Sequence, residues 1–321
     1  MTSSTSLPVT RAADLADVPT ERRWLVEQLW GDEAVGIVGG EPKCCKSFLA
    51  LDLAVAVASG SPCVRRFPVA RTGRVLLFAA EDALHVVRQR LAGIARAAGR
   101  DLADLDIHVI TAPSVRLDVE RDRDALTATV DKLRPRLLVL DPFVRLHRID
   151  ENLSGEVAPL LAYLRELQRS YHVAVVLVHH ARKGGAKMRA GQALRGSSEF
   201  HAWGDSNLYL RRHVDHQLTL SVEHRAAASI STVSLHLDTA DEAVALTAID
   251  RAPAALVTAA PAEITIDQRI LAELEVADAP LSATALRKRC QIRNATLQAA
   301  LAALVADGRL RRDRAGYAVA R

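Results

Sequence analysis

The sequence predicts an α/β fold: a mostly parallel sheet extended by antiparallel strands, followed by a small C-terminal domain of three helices and a β-hairpin. Three observations predict it. Short apolar runs at 34–38, 74–80, 107–110, 136–141 and 173–178 alternate with stretches of helical period, as in successive βαβ units. The first run ends in a Gly-rich loop that leads into an apolar helix. After about residue 250 the composition shifts to an Ala/Pro-rich stretch, beyond which a separate helical pattern begins.

With 321 residues the chain holds one large domain and one small one, and 49% hydrophobic content suffices for a sizeable core. The expected division is a flexible arm at 1–22, a main domain at 23–250, a linker at 251–262 and a terminal domain at 263–321. No run approaches the roughly 20 apolar residues that span a bilayer, and residues 1–20 lack the apolar core of a secretory leader. Cys44, Cys45, Cys63 and Cys290 show no zinc-ligand spacing, so a reduced, cytoplasmic chain without membrane contact is expected. A formal charge of +4 is too small for a polycation, and any nucleic-acid contact must be local.

Read from Gly40, the segment Gly40-Glu41-Pro42-Lys43-Cys44-Cys45-Lys46-Ser47 is G-x-x-x-x-C-K-S, one residue from the phosphate loop G-x-x-x-x-G-K-[ST]. In that motif backbone N–H groups cradle the phosphates, the Lys ammonium reaches the β- and γ-phosphates, and the hydroxyl holds Mg²⁺. ATP and Mg²⁺ are therefore the expected ligands, with residues 40–48, Phe48 included, around the nucleotide. The following helix adds a favourable N-terminal dipole. Cys45 stands where the motif has Gly, and its Cβ is expected to cost about 1–3 kcal/mol of backbone strain. That strain is expected to weigh on the nucleotide-bound loop.

Trp24 and Trp30 precede the first strand and are read as packing residues, with adenine stacking the lesser alternative. Glu81 and Asp82 follow the second strand, at the edge where α/β sheets bind ligands. Two readings of Glu81 stay open: it orients and polarises an attacking water, or it caps the helix at 83–98, a role Asp82 also suits. Val86, Val87, Arg90, Leu91 and Ile94 set the period of that helix. The stretch 118–123 reads as a solvated loop or a helix start. Residues 136–141 give a basic residue, four apolar residues and Asp141, the form of a Walker B strand whose carboxylate supports Mg²⁺.

Residues 154–171 are helical by period, and the strand at 173–178 ends in His179-His180. These imidazoles suit sensing of a γ-phosphate, metal binding or pairing with carboxylates, but adjacent strand residues face opposite ways and do not chelate one ion together. The Gly-rich stretch 181–192 is acid-free and carries Arg182, Lys183, Lys187 and Arg189. It reads as a loop for a single-stranded DNA backbone, with a plain solvated loop as the alternative. Strands at 206–212, 217–222, 232–237 and 243–249 form the antiparallel extension.

Helices at 264–276, 282–290 and 294–306 and a hairpin at 309–319 make a winged helix-turn-helix. From Arg287 onward this region has nine basic residues against Asp307 and Asp313. Arg287, Lys288, Arg289 and Arg293 are the candidate duplex-DNA contacts. Protein docking is the alternative use of such a module.

Trp24-Leu25, the loop 40–47, Glu81-Asp82, Asp141, His179-His180, Arg195-Gly196-Ser197-Ser198 and the stretch from Asp205 to Arg212 together resemble the RepA-type branch of RecA-like ATPases, the AAA ATPases related to plasmid hexameric replicative helicases. The resemblance covers about residues 22–250. It implies a ring, typically a hexamer, that hydrolyses ATP at subunit interfaces. In it Lys46 and Ser47 bind phosphates and Mg²⁺, Glu81 activates water and Asp141 supports the metal. His180 senses the γ-phosphate, and Arg212, with Arg211 as rival, reaches the neighbouring subunit's nucleotide. The function expected is a DNA-associated ATPase, such as a single-strand translocase or helicase in replication, recombination or mobile-element maintenance. The alternatives are a nucleotide-switched DNA-binding regulator with slow or no turnover, and a degenerate nucleotide-binding protein.

Overall fold

A computed structural model describes residues 9–15, 23–180, 199–213, 217–240, 243–249, 266–275, 280–290, 294–313 and 316–319. The chain divides into two compact units, Met1–Asp250 and Arg251–Arg321.

The first unit opens with a small antiparallel pair, β1 (Trp24–Val26) and β2 (Trp30–Gly31). Trp30 is fully buried and donates its indole N–H to Ala34 O at 3.2 Å, so its role is packing. Trp24 packs edge-on against His224, and neither indole lines the pocket formed by residues 43–48. Next come β3 (Val35–Gly40), α1 (Lys46–Ser59), β4 (Val75–Ala79), α2 (Leu84–Ala97), β5 (Ile107–Val109), α3 (Glu120–Leu133), β6 (Leu137–Asp141), α4 (Ser154–Tyr171), β7 (Ala174–His180) and α5 (Glu199–Trp203). Strands β8 (Ser206–Arg212), β9 (Leu218–His224), β10 (Val233–Ala240) and β11 (Ala243–Ala248) complete it.

Nine strands form one sheet in the order β11-β10-β9-β8-β3-β7-β6-β4-β5. From β8 to β5 every pairing is parallel, and from β8 to β11 every pairing is antiparallel. The parallel strands read as unbroken apolar runs because both faces are covered. Alternate residues divide between two cores: Val38, Leu77, Val139 and Val176 pack with α1 and α2, while Ile37, Leu76, Leu138 and Leu177 pack with α3 and α4. Strand β11 also packs on α1 and α2. Gly36 is demanded by a close approach, since a Cβ there would lie 1.6 Å from Ser206 O.

Where the β3–β8 pairing opens, side chains complete the ladder. Val35 N–H donates to Asp205 Oδ2 at 3.3 Å and Ile37 N–H to Asn207 Oδ1 at 3.1 Å. Asp205 also pairs with Arg165 on α4, which fixes the start of β8 against the helix layer.

The second unit comprises α6 (Ile266–Glu275), α7 (Ala283–Cys290), α8 (Asn294–Ala306) and the antiparallel pair β12 (Leu310–Arg312) and β13 (Tyr317–Val319). Ile270, Leu274, Leu286, Leu297, Leu301, Leu304 and Tyr317 form its own core. Arg287 and Arg289 are exposed on α7, and Arg289 Nη1 lies 3.8 Å from Glu273 Oε2. Lys288 lies in the same helix. The expected arm falls largely, and the expected linker, the loop 181–192, the stretch 195–198 and Arg293 wholly, outside the described residues. Among the described residues no helix is long and apolar enough to cross a membrane.

Candidate nucleotide site

The register of the sheet brings the site together. Gly40 is opposite His180 on β7 and Leu210 on β8, and Ala79 is opposite Asp141 on β6. The loop after β3, His180, Asp141 and the Glu81-Asp82 turn therefore lie along one edge, at the C-terminal ends of parallel strands. A pocket of about 290 Å³ there is lined by residues 43–48, Glu81, Arg90, Asp141, Val178 and His180. A larger open cavity of about 620 Å³ beside α2 holds arginines but none of these groups.

Gly40 has φ +153°, and a Cβ on it would meet Leu210 O at 2.3 Å and Cys44 Sγ at 2.6 Å. Cys45 is the N-cap of α1 at φ 65°, ψ 26°, the left-handed conformation that favours glycine. The expected strain is thus a property of the folded loop itself. Lys46 opens the first turn of α1, where its ammonium donates to Glu41 O at 2.7 Å and lies 3.9 Å from Cys44 Sγ. Burial pulls the Lys46 ammonium below the ordinary lysine range, opposed by Cys44 and Asp141. Burial likewise pushes the Cys44 thiol up.

Asp141 is only 7% exposed, and its pKa is raised to about 6. Burial is the main cause; Asp82 and Glu81 add to it, while a hydrogen bond from Ser47 and the charge of Lys46 oppose it. A buried carboxylate beside a serine hydroxyl and two further acids is a donor set that a hard cation would stabilise. The residues present therefore fit Mg²⁺, with Ser47 and Asp141 as its holders.

A family model for the AAA domain matches residues 2–186. The chain belongs to the AAA domain family. Its first unit has the RecA-like fold of P-loop ATPases. A solved DnaB-like replicative helicase, described with its primase interactions, is 14% identical with TM-score 0.51. That match covers 67% of this chain and 57% of the helicase chain, so this chain spans little more than half of the helicase's length. The RadB recombinase is also similar, at 16% identity and TM-score 0.49, over 68% of this chain and 92% of that one.

Within this AAA domain, neither Glu81 nor Asp82 caps α2, whose N-cap is Ala83 without a side-chain bond. Asp82 instead pairs with Arg90, whose guanidinium also lies over the Phe48 ring at 5.2 Å. Arg90 was legible only as a member of the helical period; its signal was a charge at an otherwise apolar position. Glu81 Oε1 accepts from Arg145 Nε at 2.8 Å, a partner 64 residues away that no motif indicated. His179 turns from the pocket and stacks on Phe200 at 4.3 Å, while His180 lines the pocket, as strand alternation requires.

Arg212 stands at the end of β8. Its Nη2 lies 3.7 Å from Cys45 Sγ of the same chain. The pairing of Leu210 with Gly40 carries Arg212 two residues past the loop's first glycine, within reach of its own loop.

Proposed function

We propose that the protein is an ATP-hydrolysing, DNA-acting member of the RecA/RepA type that works as an oligomeric ring, a hexamer by resemblance. The observation that carries this reading is the convergence of Lys46, Ser47, Glu81, Asp141 and His180 on one pocket along the sheet edge. Lys46 and the backbone of 40–47 bind the phosphates. Mg²⁺, held through Ser47 and Asp141, supplies charge neutralisation at the phosphate oxygens. Glu81 orients the attacking water, and His180 donates towards the terminal phosphate. Arg90 holds Asp82 in place and closes one side of the pocket. The placement of Arg212 supports a role on its own chain's nucleotide.

The 182–189 segment supplies single-strand contacts in this reading. The second unit acts as a winged helix that uses Arg287, Lys288, Arg289 and Arg293 on duplex DNA. Three helices, a hairpin and nine basic residues after 286 support it. The left-handed Cys45 and the engaged Glu81 favour a second reading, a DNA-binding regulator switched by nucleotide with slow turnover.

The test is ATP turnover with and without single- and double-stranded DNA, with oligomer mass measured in parallel. Lys46→Ala is expected to lose tight ATP binding and hydrolysis while remaining folded, because Lys46 contributes charge to the pocket. Equal turnover by wild type and Lys46→Ala would overturn the assignment. Undetectable turnover with intact ATP binding would select the regulator.

A further inference from the structure

The loop leaving β6 carries the partner of Glu81. It is pinned by Phe143 and Leu146, both fully buried, and the Phe143 ring packs on His147 at 4.3 Å and on Phe200 at 5.3 Å. Between these anchors Val144 and Arg145 face outward: Val144 is 38% exposed and the Arg145 side chain 61%. Arg148 is exposed three residues further on. The inner reach of Arg145 is its 2.8 Å bond to Glu81, which itself lines the phosphate pocket.

We infer that Arg145 is a positioning residue for Glu81, and that the pair is opened by a phosphodiester of single-stranded DNA that takes Arg145 in exchange. The inference rests on the reading of Glu81 as the water-orienting carboxylate. While Arg145 donates to Oε1, the ion pair fixes the direction of the carboxylate and takes one of its roughly four acceptor positions. Both side chains are well exposed, so the pair is screened and weakly held. A phosphate offers the guanidinium a charge-assisted, bidentate alternative. The buried anchors let one side chain change partners without the loop unfolding.

The neighbouring acids are already engaged. Asp118 accepts from Arg116 and from the Arg148 N–H, and Glu156 accepts from the Asp150 N–H. They compete little for an incoming backbone. Exposed Val144 beside Arg145 offers an apolar contact to an unstacked base, which a single strand presents and a duplex does not.

Linkage makes the coupling reciprocal: if DNA frees Glu81 from Arg145, removing the Glu81 charge must free Arg145 for DNA. The experiment is a fluorescence-anisotropy titration of labelled oligo-dT, at fixed ionic strength and without nucleotide. It uses the full-length wild type, Glu81→Gln, Arg145→Ala and the double variant. Glu81→Gln is expected to tighten binding about threefold, the scale released by one exposed ion pair. Arg145→Ala is expected to weaken binding, and in its background Glu81→Gln should change nothing.

Three results would overturn the inference: unchanged affinity in Glu81→Gln, tightening that persists without Arg145, or equal dependence on Arg145 for a duplex of the same length. Absence of oligo-dT binding by the wild type would overturn it as well. The two readings fail separately. An intact cycle in a protein that hydrolyses no ATP leaves the coupling standing and removes the ATPase reading; turnover lost in Lys46→Ala together with a null cycle does the reverse.

Discussion

Replacing Cys45 by Gly tests where the strain of this loop resides. Cys45 sits at φ 65°, ψ 26°, and a non-glycine residue in that conformation costs about 1–2 kcal/mol. Glycine removes this cost but gives the unfolded chain about 0.5–1 kcal/mol of extra entropy to lose. Cys45 also surrenders a half-buried side chain and its 3.7 Å contact with Arg212 Nη2, both small terms. The net expectation is a gain of about 0.5–1 kcal/mol in the stability of the first unit. In urea this moves its midpoint by a few tenths of a molar at a slope of about 2 kcal/mol per molar. Affinity changes only by the difference in strain between free and bound loop. Because the folded loop already holds the left-handed turn, ATP binding should change by less than about threefold, under ~0.6 kcal/mol. Urea unfolding and calorimetric ATP titration of both proteins, under reductant, read the two quantities separately. A loss of stability would refute the assignment of strain to Cys45. A tenfold tightening of ATP binding would show that the bound loop carries it instead.

Three further outcomes are expected. Asp141→Asn abolishes turnover but stabilises the metal-free protein. The raised pKa of about 6 means that the folded chain favours protonated Asp141, so wild-type stability falls as pH climbs from about 4 through 6. The variant's advantage in stability, measured with chelator, should therefore be near zero at about pH 4 and level off above about pH 7, on the order of 3 kcal/mol; a pH-independent difference contradicts this. Glu81→Gln should keep ATP bound and melt normally, since Glu81 caps no helix, while single-turnover hydrolysis slows about 10²-fold or more; early melting would make it a structural residue. Mixed rings of Arg212→Ala and Lys46→Ala subunits should recover no activity, because a cis Arg212 leaves no chain with a complete site; recovery after verified subunit exchange would refute the cis reading and establish the trans one.

Much of the first unit could be read from residue order because its cause is local. A buried parallel strand must be apolar throughout, and a helix between two such strands shows its period, so the ranges 154–171 and 206–212 coincide with α4 and β8. The phosphate loop was legible for the same reason: its chemistry is packed into eight consecutive residues. Glu81 and Asp141 were visible as acids at strand ends, and the sheet register explains why those ends converge.

Other features depend on residues far apart in the chain, and only the tertiary structure decided them. Whether Glu81 caps a helix or faces the pocket is settled by Ala83 taking the N-cap and by Arg145 arriving from the loop after β6. Arg90 looks like an ordinary member of a helix until α2 packs beside α1 and sets its guanidinium over Phe48. The nearness of Arg212 to Cys45 follows from the pairing of β8 with β3, two strands separated by most of the domain. A motif records which groups a site needs. Which charges hold them is set by the order in which the strands assemble, and strand order carries no mark in any single stretch of sequence.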